Sequence, residues 1–202
     1  MESESYARIH SLDLSAPIWE NFFVIAPLVL VGTKDAGGDY NQAPKHMAFP
    51  MGWDNYFGFV CTPDHATHQN IIREKVFTVT YPRPTQVILA SLAATARDED
   101  NTKPTLHAVP TFGARKVDGR FVRDGYVFLE CELERVIGEF GRNDLIVGRI
   151  VAGHVHHSAF RTSGDEDGEL IEGAPLLAYL QPGRFARVRD SYPFPFPTEF
   201  QL

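Results

Sequence analysis

The sequence has few cysteines and no surplus of positive charge. Its two cysteines, Cys61 and Cys131, are too few for a disulfide framework among 202 residues, and both lie in apolar segments. We interpret them as small buried side chains of a protein in a reducing compartment. Acidic residues outnumber basic ones by 26 to 19, which gives a net charge of −7. Nonspecific binding to nucleic acid or to an anionic membrane is therefore not expected, and an anionic ligand would need local positive charge.

Signals for secretion and for membrane insertion are also missing. The first five residues are acidic and lack the basic and apolar regions of a signal peptide. The longest apolar stretch, residues 22–32, is too short to span a bilayer and is interrupted by Pro27. We therefore expect a cytoplasmic protein without a membrane partner.

Several well-known site motifs do not occur. The sequence has no glycine-rich phosphate loop after a strand, no Gly-x-Ser-x-Gly elbow and no paired Cys-x-x-Cys, which leaves Rossmann, P-loop, α/β-hydrolase and zinc-ribbon interpretations without support. His154 and His156 would share one strand face, with His157 beside them. No metal site is predicted there, because no cysteine or carboxylate nearby completes a tetrahedral set.

Short apolar runs separated by Gly, Pro, Asn and Asp make up much of the chain. Their enrichment in β-branched and aromatic residues predicts many short strands, as in a barrel or a sandwich. The expected strands are residues 22–25 and 28–31 around Pro27, then 44–49, 55–62, 76–81, 126–137 and 145–156. In the strand 126–137, alternation predicts that Cys131 and its neighbours two residues away are buried and that Glu130, Glu132 and Glu134 meet solvent.

Two short helices are expected to cover the strands. Thr67 is expected to N-cap the first, which runs to about Lys75. The second spans residues 85–96, with Ile88, Leu92 and Ala96 on its apolar face. Because strands dominate, the predicted class is β-rich α+β.

The chain is expected to form one domain with a short extension at each end. The predicted boundaries are an N-terminal extension over residues 1–20, a domain over 21–181 and an extended arm over 182–202. The arm contains three prolines alternating with aromatic residues at 192–197, a pattern that favours a polyproline-like conformation. Its aromatic side chains would be buried either on a partner subunit or on the chain's own surface.

The segment from residue 41 to residue 71 carries the strongest indication of a site. A strand that ends at Thr62, a polar loop and a helix that begins at Thr67 would present backbone amides to an anion. A helix terminus contributes only about 0.3–1 kcal/mol to anion binding, so Lys45, Arg73 or His65 is expected to help. The alternative is an ordinary capped helix after a loop.

Six short segments follow one another in an order that resembles a known family. They are Asn-x-Ala-Pro-Lys-His-Met at 41–47, Cys-Thr at 61–62, Thr-x-x-Asn-Ile at 67–71, Phe-Thr-Val-Thr at 77–80, Glu-Cys-Glu at 130–132 and Asn-Asp-Leu-Ile-Val-Gly at 143–148. No single segment is specific. Together, over about residues 22–179, they resemble the flavin reductase-like family of FMN-binding split barrels, in particular its flavoredoxin-like branch.

This resemblance implies a fold, a cofactor and a set of site residues. The fold would be a six-stranded Greek-key split barrel with short covering helices, in a homodimer that holds FMN noncovalently near the subunit interface. The resemblance assigns Asn41, Ala43, Pro44, Lys45, His46 and Met47 to the isoalloxazine ring, and Thr62, His65, Thr67 and Asn70 to the phosphate and ribityl chain. It assigns no catalytic residue. Of the two loop histidines, we expect His65 rather than His68 to contribute.

Two departures from the family pattern leave the reaction open. His46 stands where many members have Ser or Thr, and Asn143 stands where nicotinamide-using reductases often carry a histidine. The first hypothesis is an FMN oxidoreductase that takes hydride from NAD(P)H onto flavin N5. The second is an FMN-bearing electron-transfer protein reduced by a protein partner. A split barrel with another cofactor such as haem, or with none, is the third.

Overall fold

Strands dominate the computed structural model, which describes residues 8–162 and 166–197. The twelve strands are β1 (Val24–Pro27), β2 (Val29–Lys34), β3 (Tyr40–Lys45), β4 (Ala48–Pro50), β5 (Tyr56–Cys61), β6 (Val76–Tyr81), β7 (Thr111–Gly113), β8 (Arg120–Val122), β9 (Val127–Phe140), β10 (Asn143–Val155), β11 (Leu176–Gln181) and β12 (Arg184–Val188). The α-helices are α1 (Ala66–Glu74), α2 (Val87–Leu92) and α3 (Asp167–Gly173), and 3-10 turns cover Pro84–Gln86, Pro104–Ala108 and His157–Ala159. No helix in these two ranges is both long enough and apolar enough to cross a membrane.

The strands form one large antiparallel sheet and two small ones. The large sheet has the order β3-β2-β6-β9-β10-β5-β4, the second has the order β1-β11-β12, and β7 pairs with β8. This architecture confirms the β-rich α+β class and the split barrel. The large sheet has seven strands rather than the expected six, and the short β4 forms one of its edges.

The two edges of the large sheet are joined by a very short link. β3 and β4 lie at opposite edges, yet only His46 and Met47 separate them in the chain. Six strand spacings would place the edges of a flat sheet about 29 Å apart, whereas three peptide units span at most about 11 Å. The sheet must therefore curl until its edges meet. We call this meeting point, residues 45–48, the seam.

The barrel interior is filled by aromatic and branched side chains. The most buried include Phe57, Phe59, Phe77, Ile71 and Ile146. The rings of Phe59 and Phe77 meet edge to face, with centroids 5.5 Å apart, a favourable arrangement for two aromatic quadrupoles. Burial of each such side chain stabilises the fold by about 1.5–3 kcal/mol.

A second cluster lies under α2, and it shows that the expected face of this helix was wrong. Ala90 and Ala93 are buried against Leu30, whereas Ile88 is 69% exposed. A 3-10 turn occupies Pro84–Gln86. The Gln86 side chain accepts a hydrogen bond from the amide of Arg83 and donates one to the carbonyl of Arg123. The α-helix therefore spans only Val87–Leu92 instead of residues 85–96, and it turns Ala90 rather than Ile88 toward the core.

The expectation that Glu130 meets solvent was also wrong. Glu130 is fully buried, while Glu132 and Glu134 on the same strand are exposed. The loop between β7 and β8 covers this end of β9 and surrounds the carboxylate with its backbone. Three consecutive amides, of residues 115–117, donate to Glu130 at 2.5–3.1 Å, and Nε2 of His154 lies 3.0 Å away. Strand alternation cannot reveal a loop that folds over a polar side chain.

The electrostatic environment of Glu130 favours its charged form. Burial by itself would raise the pKa of this carboxyl, but the hydrogen bonds from His154 and the three loop amides together hold it below its usual value. The buried charge is thus compensated by donors from two different parts of the chain.

The chain around the seam and at the C-terminus differs in detail from the expected elements. The expected strand 44–49 is divided, because β3 ends at Lys45 and β4 begins at Ala48. Pro44 is tolerated in β3 because that strand is an edge. Residues 184–188, which we assigned to the arm, form β12, and residues 189–197 have no regular secondary structure. Residues 1–7 and 198–202 lie outside the described residues, and the domain boundaries stay a prediction.

Glu130→Gln is expected to destabilise the fold by about 2–4 kcal/mol, because an amide nitrogen would replace an acceptor that faces converging donors. Glu132→Gln is the control; it removes an exposed ion pair with Arg149 and should cost less than about 1 kcal/mol. Urea unfolding at pH 7 measures both.

The difference between wild type and Glu130→Gln should also depend on pH. A carboxyl with a depressed pKa stabilises the folded state above its unfolded pKa and loses that contribution as the pH falls through its folded pKa. The gap should therefore shrink below about pH 4. Equal stability of the wild type and this variant at pH 7 would contradict the role given to the carboxylate.

Candidate functional site

A cavity of about 200 Å³ lies at the seam. We call it the seam cavity. Its lining residues are Pro44, Lys45, His46, Met47, Val60, Cys61, Thr62, His65 and Asn143. The structure therefore brings together the predicted ring segment from Pro44 to Met47 and two residues of the predicted phosphate loop, Thr62 and His65. They meet because the curled sheet places the end of β3 beside the end of β5.

The link itself is anchored to the neighbouring strand. The amide of Val60 donates to the carbonyl of Met47 at 2.9 Å, so the connection from β3 to β4 is held against β5. Since β3 is an edge strand, its outer backbone groups have no partner strand. The seam thus offers backbone donors and acceptors to a flat, polar-edged ligand.

Lys45 is the positive charge within the seam cavity. Burial raises the pKa of the Cys61 thiol, and contact with the Lys45 ammonium opposes that effect. The pKa of His65 is lowered by burial and then by the charge of Lys45, while Asp64 acts in the opposite direction. His65 is therefore neutral at pH 7 and can donate one ring N–H, and Lys45 supplies the cation.

Behind the cavity, Asn41 and Thr67 join β3 to α1. Nδ2 of Asn41 donates to Oγ1 of Thr67 at 3.4 Å, and both residues are buried. The buried Oδ1 of Asn41 has no hydrogen-bond partner within the described chain. A buried acceptor without a donor costs free energy, so this atom is a position where a ligand donor would be stabilising.

The N-cap of α1 is His65, and the expectation that Thr67 caps this helix was wrong. His65 has extended backbone angles, φ −77° and ψ 137°, and its side chain makes no capping hydrogen bond. Thr67 is the second residue of the helix, and its hydroxyl is turned toward Asn41. His65 and Thr67 both lie in the polar loop, and the sequence does not show which of them is the N-cap.

Asn70 does not line the seam cavity. Its amide nitrogen donates to Thr33 at 3.0 Å and to Asp35 at 2.7 Å, and its oxygen accepts from Arg73 at 2.9 Å. These bonds attach α1 to β2 and leave no free group for a ligand. Asn70 is a positioning residue. Ala43, Asn41 and Thr67 are likewise not among the residues that line the cavity.

Lys103 is a candidate that the sequence reasoning missed. Its ammonium donates to the carbonyls of Ala93 at 2.6 Å and Gln42 at 3.2 Å, which places it against β3. Its pKa is lowered to about 8, first by burial and then by repulsion from Arg97 and Lys45. We call Lys45, Arg97 and Lys103 the cationic cluster. Nothing in the local sequence of Lys103 distinguishes it, because it comes from an irregular loop far along the chain.

The charge of the cationic cluster is only partly compensated. Arg97 pairs with Asp35 at 2.8 Å, and the carboxylate of Asp35 raises the pKa of Lys103 less than its cationic neighbours lower it. An anion bound beside these side chains would relieve their mutual repulsion. The cluster is therefore the local positive charge that an acidic protein needs to bind an anion.

His46 separates the seam cavity from a second cavity. Its ring packs against that of Tyr179 with centroids 4.8 Å apart, which attaches the three-stranded sheet to the seam. Burial, followed by the charge of Lys45, lowers the pKa of His46, and a hydrogen bond with Gln181 opposes this. The second cavity, which we call the His46 cavity, has a volume of about 350 Å³. Its other lining residues are mostly apolar, Tyr179 and Phe185 among them, and Arg184 adds a positive charge.

Asn143 lies at the first position of β10 and faces the seam cavity. The hydroxyl of Thr62 donates to Oδ1 of Asn143 at 3.0 Å. The next residue, Asp144, contacts Nε2 of His68 at 2.8 Å. Of the two loop histidines, His65 thus lines the cavity and His68 is engaged elsewhere.

The histidines at the end of β10 have other partners. His154 contacts Glu130, and the rings of His156 and His157 pack 4.2 Å apart. Within residues 8–162 and 166–197, no group of three or more His, Cys, Asp or Glu side chains is arranged to hold a metal ion.

Comparisons with known proteins agree with this geometry. The family model described as a flavin reductase like domain matches residues 23–188. Among solved structures, 2-nitrobenzoate 2-nitroreductase from Pseudomonas fluorescens is 18% identical, with a TM-score of 0.77, covering 96% of this chain and 99% of that chain. Flavoredoxin from Methanosarcina acetivorans is 16% identical, with a TM-score of 0.74 and coverages of 95% and 97%. An FMN-binding protein from Thermus thermophilus is 19% identical, with a TM-score of 0.74 and coverages of 93% and 99%. At these identities the likeness to solved structures concerns the fold.

Lys103→Met is expected to change how stability depends on pH. Between about pH 8 and about pH 10, folded Lys103 loses its proton while the unfolded chain keeps it, so the free energy of unfolding rises with pH. Over this range, wild type should gain about 1–2 kcal/mol relative to the variant, a gain limited by solvent screening at this partly exposed side chain. Urea unfolding at pH 7, 8, 9 and 10 measures it. If the difference in the free energy of unfolding between the two proteins does not change with pH, the pKa of Lys103 is not lowered by folding.

Proposed function

The chain belongs to the family of flavin reductase-like domains, and we propose that it binds FMN at the seam and acts as an NAD(P)H-dependent oxidoreductase. The observation that carries this proposal is the cationic cluster, whose charge Asp35 compensates only in part. One member of the cluster, Lys45, lines the cavity at the meeting point of the sheet edges. FMN combines a flat ring with polar edges and an anionic phosphate. The seam offers a matching group for each of these parts.

The residues present fit FMN in three respects. The unpartnered Oδ1 of Asn41 can accept a hydrogen bond from a ligand. Lys45 and His65 provide donors for the phosphate, and the nearby start of α1 adds the positive end of its dipole. The edge of β3 from Pro44 onward can meet the polar edge of the ring through its backbone. A protein from Thermus thermophilus with the same fold is an FMN-binding protein.

When bound, FMN would supply the electron-accepting chemistry, and the protein would supply binding and orientation. Lys45 holds positive charge at the cavity, and the neutral imidazoles of His46 and His65 can each donate one N–H. The packing of His46 on Tyr179 holds one side of the link in place. Thr62 fixes the amide of Asn143 at the cavity wall through its hydrogen bond to Oδ1.

A second candidate function is an FMN-bearing electron carrier without nicotinamide activity. It is favoured by Asn143, which lines the seam cavity where nicotinamide-using relatives often have a histidine. An amide can position a ligand but does not titrate near neutral pH. In this case a reduced protein partner would be the donor.

Anaerobic mixing with NADH and with NADPH distinguishes the two functions. Reduction by a nicotinamide should bleach the flavin absorbance at about 450 nm. We also propose that the protein is a homodimer, and light scattering of the same sample should give the mass of two chains. Reduction by dithionite but by neither nicotinamide would favour the electron carrier. A protein that stays colourless and does not bind added FMN would contradict both.

Lys45→Met is expected to weaken FMN binding about tenfold or more, because a charge-assisted contact with phosphate is worth about 1.5–3 kcal/mol. Lys116→Met removes the same charge from an exposed position outside the cavity and serves as the control. Fluorescence titration with FMN at low salt gives both dissociation constants. Equal weakening by the two variants would assign the effect to net charge rather than to the seam.

A further inference from the structure

A third cavity, of about 310 Å³, lies away from the seam and carries positive charge. We call it the arginine cavity. Arg83 and Arg187 line it from two different elements, and His156 and Ser158 add polar groups. None of its lining residues is acidic. Neither arginine forms an ion pair with any residue in the described part of the chain.

Arg83 is held in a fixed orientation. Its Nη2 donates to Oγ of Ser158 at 2.8 Å, and this hydroxyl lies 2.9 Å from Nδ1 of His156. The guanidinium also lies over the ring of Tyr126, 5.6 Å from its centroid, which is a cation–π contact. The remaining guanidinium donors are thus preorganised without a carboxylate. Two guanidinium groups that line one cavity without a carboxylate suit a phosphate, whose oxygens accept several hydrogen bonds at once.

The arginine cavity lies beside the His46 cavity. Phe185 and Arg187 are two residues apart on β12, so they project from the same face about 7 Å apart. Phe185 lines the His46 cavity and Arg187 lines the arginine cavity. On the opposite side, Thr85 lines the arginine cavity and Val87 lines the His46 cavity. The two cavities therefore follow one another from His46 at the seam to the two arginines.

We propose that the arginine cavity binds the phosphate monoester that NADPH carries on its adenosine ribose, so that NADPH rather than NADH is the electron donor. This inference rests on the proposed function, because it requires a nicotinamide donor. A dinucleotide is elongated, and the two neighbouring cavities offer the rings of Tyr179 and Phe185, with Arg184 beside them, on the side of the seam. Arg83 and Arg187 lie at the far end. An arginine near the ribose is the general means by which proteins accept this phosphate. NADH lacks the group and gains nothing from the two charges.

Calorimetric titration of the purified flavoprotein with 2′,5′-ADP tests the proposal without any turnover. We expect 2′,5′-ADP, which carries the ribose phosphate, to bind at least tenfold tighter than 5′-ADP. Arg187→Gln and Arg83→Gln should each weaken 2′,5′-ADP about tenfold and leave 5′-ADP unchanged. Arg189→Gln, an exposed arginine that does not line the cavity, should have no effect. The ratio of kcat/KM for NADPH to that for NADH should fall about tenfold in the first two variants alone.

Equal affinity for the two nucleotides, or unchanged 2′,5′-ADP binding in both cavity variants, would overturn the proposal. Inorganic phosphate that binds as tightly as 2′,5′-ADP would also overturn it, by showing a site for any phosphate. If Arg83→Gln does not fold, the exposed Arg187 still provides the test. FMN titration separates this inference from the proposed function. If the wild type binds FMN normally but does not bind 2′,5′-ADP, only this inference is rejected. If the wild type does not bind FMN, the proposed function is rejected.

Discussion

The structure depends on a single covalent constraint, the two-residue link between opposite edges of the large sheet. Because only His46 and Met47 connect β3 to β4, the link is too short for a flat sheet, and the sheet must curl. Curling brings the outer edge of β3, the end of β5 and the start of α1 to one place. The candidate site is therefore a direct consequence of how the barrel closes. It consists of groups that closure leaves exposed at an edge, which is where ligand-binding backbone is available.

Charge compensation follows two different patterns in this acidic protein. Glu130 is buried and fully surrounded by donors, so its charge is satisfied within the fold. The charge of the cationic cluster is not fully compensated within the fold. Arg97 and Lys45 lower the pKa of Lys103, and Asp35 opposes them only in part. A compensated buried charge is consistent with a structural role, whereas an uncompensated one indicates that the partner comes from outside the chain.

The sequence was informative where local pattern decides structure. The alternation at residues 76–81 predicted β6 with its observed bounds, and the ordered segments between residues 41 and 148 indicated the family. The sequence was not informative where contacts between distant segments of the chain determine the structure. The burial of Glu130 depends on a loop from residues 115–117, and the face of α2 depends on a 3-10 turn fixed by Gln86. Likewise, Lys103 reaches β3 from a loop without periodicity. Asn70 was recognised by its position, but its bonds to β2 became visible only in three dimensions.

The most direct measurement is a crystal structure of the protein with FMN. We expect the phosphate to lie within hydrogen-bond distance of the ammonium of Lys45, and the ring to lie along residues 44–47. We also expect a polar group of FMN, or a water molecule bound to it, to donate to Oδ1 of Asn41. FMN bound away from the link between β3 and β4, with Lys45 and Lys103 still lacking an anion, would show that the seam is not the flavin site.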